Sequence, residues 1–162
     1  MSLFARLFGK KIPFRGYCTA SVEAAFQHTD EATGEEFRRS CGDSFLTAAD
    51  QKLYLTHLRT VFIELLLIAI AKNCPTDLSI QATIFVHTHL EEMNHPEIAE
   101  LCNGYSQAFA SSSSDGIRQM VLHFNDAVTG GRMRQETIEQ LYAEFYAVLM
   151  SHYKDFKSVK LV

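Results

Sequence analysis

"61-VFIELLLIAIA-71" places ten apolar residues around one carboxylate, Glu64. A helix of that composition is apolar on every side, and such a helix has to be surrounded. The flanking residues give the period. Tyr54, Leu58, Val61, Leu65 and Ile68 step by four and three residues, the stripe of a packed helix. Asp43 or Thr47 can cap its start, and Cys74-Pro75 stops it just after Asn73. The uninterrupted run is well short of the roughly 20 apolar residues of a spanning helix. It is therefore expected to be the hub of a globular core. More cover is needed than one neighbour supplies, and a second copy of the chain sharing the hub is one way to provide it.

The segments after the hub read the same way. Asp77 is expected to cap a helix running to about Glu92, and Pro96 suits a first helical position. Ile98, Leu101, Cys102, Tyr105 and Phe109 mark the next helix, with Asn103-Gly104 able to bend it. "SSSSDG" at 111–116 is a connector, since no strand precedes it and no P-loop lysine follows. Ile117, Met120, Val121, Phe124 and Val128 face inward on a helix that Gly130-Gly131 ends. Ile138, Tyr142, Phe145, Leu149, His152 and Phe156 give the last helix heptad spacing over about 134–157. Tyr142, Phe145, Tyr146 and Tyr153 are expected to be core aromatics.

Strand signals are weak throughout. The expected fold is all-α: one domain, a bundle of about five main helices over 43–162. Residues 1–42 are expected to form a less regular N-terminal region. That region holds a short helix near "SVEAAFQ" and a second from Thr33, with Thr33 and Glu36 as a capping box and Gly42 as its stop.

Composition narrows the function classes. The chain has 162 residues, 47% hydrophobic, which is enough for a core without staples. A net charge of −4 argues against nucleic acid as a partner. Cys18, Cys41, Cys74 and Cys102 are scattered with no C-x-x-C, so free thiols in a reducing, cytoplasmic setting are expected. "MSLFARLFGKKIPF" interleaves charge with apolar residues and lacks the continuous apolar core of a secretion signal. Residues 1–15 carry +4, from Arg6, Lys10, Lys11 and Arg15, against −8 for the rest. Phe4, Leu7 and Phe8 beside Arg6, Lys10 and Lys11 could lie on a membrane surface. Packing on the body or on another subunit is the more ordinary use of such an arm.

Two sets of ionisable residues compete as a site. His87, Glu91 and His95 are spaced to share a helix face, as metal ligands can. That face also carries Gln81, Thr88 and Glu92 and reads as wet, and the stretch is not H-E-x-x-H. Glu64, His89 and His152 point instead into apolar faces, with His57 two turns before Glu64. Buried charge is costly unless paired, so these four are expected to satisfy one another or to meet Tyr, Ser or backbone groups. Bundles also build ligand and metal pockets between helices from such residues. His123 is expected to pair with Asp126 at the surface. No nucleophile elbow occurs, and nothing positions a base beside Cys74. The expectation is a non-enzymatic interaction or regulatory module, homodimeric and open to a protein partner. A metal- or haem-binding bundle and a peripheral membrane protein held by residues 1–15 are the alternatives. No cofactor is named by the sequence.

Overall fold

The computed structural model describes residues 11–29, 48–158 and 160–161. Within them are six helices: α1 Phe14–Gln27, α2 Ala48–Asn73, α3 Thr76–Glu92, α4 Pro96–Ala110, α5 Gly116–Thr129 and α6 Gln135–Ser158. Lys11–Ile12 (β1) pairs in parallel with Lys160–Leu161 (β2), a two-residue ladder tying the two ends of the described chain together. The fold is all-α, with six helices where about five were expected.

α2 is the hub. Every residue from Val61 to Ile70 is buried, as an all-round apolar helix requires. The other five helices all pack on it. They surround it in the order α1, α3, α4, α5, α6, each against the next. Tyr17 of α1 meets His152 and Phe156 of α6 and closes the ring. The cover of the hub thus comes from this chain alone, so a second copy is not needed to bury it. By length and hydropathy Gln51–Asn73 could cross a membrane, but 83% of that window is buried inside the fold.

The extra helix is α1. It begins at Phe14, well before "SVEAAFQ", and buries Phe14, Tyr17, Cys18, Val22 and Ala25. The second N-terminal helix expected from Thr33, and both expected caps of α2, lie outside the described residues. α3 is not capped by Asp77. Pro75 precedes its first residue, and Asp77 sits in the first turn, where a carboxylate complements the helix dipole. Pro96 opens α4 as expected. Gly104 does not break that helix. A Cβ there would come 3.1 Å from His123 Nε2, so the glycine admits a neighbouring ring. α5 starts on Asp115, whose carboxylate accepts from the Arg118 N–H, and stops at Gly130 with φ 64°. On α6, Ile138, Leu141, Phe145 and Leu149 are the buried apolar set, with Thr137 and Asp155 also buried. Tyr146, expected in the core, is exposed and stacks on Tyr142.

Candidate functional site

α2 and α4 pack on each other along a seam that carries the polar residues. His57 Nδ1 and the Tyr105 hydroxyl are hydrogen-bonded at 2.8 Å. Burial lowers the His57 pKa, and the nearby His123 lowers it further. Further along α2 lies Glu64, buried, with Ser106 and Cys102 of α4 as its polar neighbours. Burial pushes Glu64 up to about 7, and the nearby Ser106 hydroxyl and Cys102 thiol offset only part of the rise. Burial, then the adjacent Glu64, holds the Cys102 thiol far above its usual range, so it is protonated and a poor nucleophile.

Beyond Glu64 the seam opens. Ile68, Ala71 and Lys72 follow Glu64 on its face of α2; Phe109 and Ala110 follow Cys102 and Ser106 on α4. With Ile117 of α5 and Tyr142, Tyr146 and Leu149 of α6 they line an open hollow of about 570 Å³. Ser106 belongs to both parts: it neighbours Glu64 and forms part of the hollow's wall.

The other ionisable residues lie elsewhere. His152 Nδ1 is 3.0 Å from the Tyr17 hydroxyl, and burial pushes its pKa down to about 4. His89 stacks on Phe85 with Nδ1 3.7 Å from Glu92, and its Nε2 has no hydrogen-bond partner among the described residues. Glu64, His57, His89 and His152 therefore do not form one network: His57 meets Tyr105, His152 meets Tyr17, and His89 lies between Phe85 and Glu92. His87 is part-buried, and burial lowers its pKa against the pull of Glu91. His95 leaves that stripe. It precedes Pro96 with φ −127°, packs on Phe26 and sits 3.1 Å from Glu97. His123 turns its ring onto Tyr105 at 4.8 Å in place of the expected pairing with Asp126. Among the described residues no three His, Cys, Asp or Glu side chains converge as metal ligands. Cys18, Cys74 and Cys102 are free thiols, and Cys41 lies outside the described residues. Phe4, Arg6, Leu7, Phe8 and Lys10 of the basic arm also lie outside them, and Lys11 is described only in its backbone pairing.

Sequence reasoning placed Tyr105 and Cys102 in the core and overlooked Ser106. The available signal was spacing, since Cys102, Ser106 and Phe109 form one face of α4. No protein-family model, curated protein or solved structure matches this chain.

Proposed function

We propose that this chain is a single-domain helical bundle that acts as a non-enzymatic interaction module and pairs with a second copy of itself. One observation carries the reading. Ile80 is 56% exposed and Ile84 62%, one turn apart on the outer side of α3. Two wholly apolar, β-branched side chains standing together in water are unfavourable, and contiguous apolar surface of this kind marks an interaction face. Beside them lies an open hollow of about 380 Å³ lined by Phe14, Arg15, Phe85, His89 and Glu92, which gives the face relief.

A second copy fits this face because a two-fold contact is self-complementary. Two α3 helices crossing antiparallel set Ile80 of one copy against Ile84 of the other.

Sedimentation equilibrium tests it. The expected mass is twice that of the chain, and Ile84→Asp is expected to return it to one chain with unchanged helix content. A wild-type monomer at every concentration, or a dimer that survives the substitution, would overturn the proposal.

A further inference from the structure

We propose that cross-subunit pairs of Asp77 with His87, one at each end of the α3–α3 seam, orient the two copies antiparallel and make their association tighten in acid. This rests on the pairing through α3 proposed above and adds the residues that orient and regulate it.

Asp77, Ile80, Ile84, His87 and Glu91 step by three and four residues along α3. That is the heptad spacing of a seam between two helices. The stripe faces out: Asp77, Ile80, Ile84 and Glu91 are exposed and His87 is half-buried. Ala82, Val86 and Leu90, the buried residues of α3, turn away from it. Its centre is therefore apolar and its ends ionisable. Two such helices can meet in either direction, and the ends decide between them. In an antiparallel seam, the two-fold axis that sets Ile80 against Ile84 also sets Asp77 against His87, once at each end. Glu91 then lies one turn further out. In a parallel seam Asp77 meets Asp77 and Glu91 meets Glu91, so both ends repel. Gln81 and Thr88 flank the stripe on the side of the hollow and are neutral. Arg15 lies over Phe85 there and Glu92 beside His89, off the stripe.

Both members of the pair are available. Asp77 forms no ion pair among the described residues. His87 Nε2 is shielded and has no hydrogen-bond partner among them, so Nδ1 is the nitrogen through which a second copy can reach the ring. Glu91, one turn on, is the charged group that acts on His87, drawing its pKa up against the effect of burial. α1, α2 and α4 pack on α3 and bring no further charge to bear on it among the described residues. Histidine is the member of the pair that titrates near neutrality. A carboxylate brought against it by association favours its charged form, so the dimer takes up protons as it forms. The added affinity is present in full below the His87 pKa of the single chain. It is lost as pH rises through the higher pKa of the dimer.

The test is sedimentation equilibrium of the full chain between pH 5.5 and 7.5. Wild type is expected to associate about fivefold more tightly at the acid end, as two exposed ion pairs allow. Asp77→Asn, at an exposed position, is expected to keep its helix content and to lose that pH dependence. His87→Lys is expected to tighten association at pH 7.5, because a fixed cation then faces Asp77. A monomer at every pH would remove self-association and this inference with it. Other results would overturn this inference and leave self-association standing. They are a dimer of constant affinity across the range, a pH dependence that survives Asp77→Asn, or a dimer that Asp77→Asn tightens, as it would a parallel pair. Loosening by folded His87→Lys would do the same. Should that variant not fold, Asp77→Asn decides.

Discussion

Tyr17 and His152 join the first described helix to the last, hydroxyl to Nδ1 at 3.0 Å. They lie 135 residues apart in sequence, and their bond closes the ring of helices around α2. Removing the hydroxyl with Tyr17→Phe leaves a shielded ring nitrogen without its partner. The expected loss is about 1–2 kcal/mol in urea unfolding. A loss within error would show that the ring is closed by packing alone.

The same histidine sets an acid limit. Burial holds the His152 pKa down to about 4, below its ordinary 6.5. A depressed base stabilises the fold fully above its ordinary value and loses that contribution as pH falls toward 4. His152→Gln keeps a hydrogen-bonding group and does not titrate. It is expected to flatten the decline of stability between pH 6.5 and 4, measured by urea midpoints at half-unit steps.

Glu64 works in the opposite direction. Its folded pKa of about 7 lies above the ordinary 4.5. The stabilisation from its neutral form is complete below 4.5 and is lost as pH rises through 7. Glu64→Gln is therefore expected to match wild type near pH 4 and to exceed it at pH 8 by about 3 kcal/mol. Equal stability at pH 8 would mean the carboxylate is satisfied after all.

Two glycines separate a tight contact from a tolerable one. A Cβ on Gly116 would stand 2.6 Å from the Phe109 carbonyl oxygen and 2.7 Å from its ring, so the α4–α5 connection has to move. Gly116→Ala is expected to cost about 2–3 kcal/mol, as overpacking does. On Gly104 the new Cβ meets only the His123 side chain at 3.1 Å, and the gain in helix propensity of about 1 kcal/mol offsets part of the strain. Thermal unfolding is expected to rank the Gly116 variant well below the Gly104 one.

Asn125 holds the turn that ends α5. Its buried Oδ1 accepts from Thr129 Oγ1 at 2.7 Å and from the Met133 N–H at 2.9 Å. Asn125→Ala strands the Met133 N–H, at an expected cost of about 1–3 kcal/mol in the same assay.

What could be read from the sequence was whatever repeats at helical spacing. The hub announced itself because nine of the ten residues from Val61 to Ile70 are apolar, leaving no side that tolerates water. The α5 stripe and its Gly130 stop were equally plain, since all five expected residues are buried. α1 was under-read because Gly16, Thr19 and Ser21 dilute its buried positions with weak helix formers. The candidate site was legible only in part. Glu64 and His57 were singled out by their cost of burial, but their partners Ser106, Cys102 and Tyr105 come from α4. Periodicity gives a residue's face, not the residue across from it. Tyr146 shows the same limit, because heptad spacing does not say which aromatic the ring of neighbours leaves uncovered.

Hydrogen exchange at low and high protein concentration tests most directly whether this chain covers its own hub and associates through α3. Amides of Thr76–Glu92 are expected to gain protection as concentration rises, while those of Val61–Ile70 stay equally and strongly protected throughout. Protection in Val61–Ile70 that grows with concentration, or no change in α3, would contradict the account.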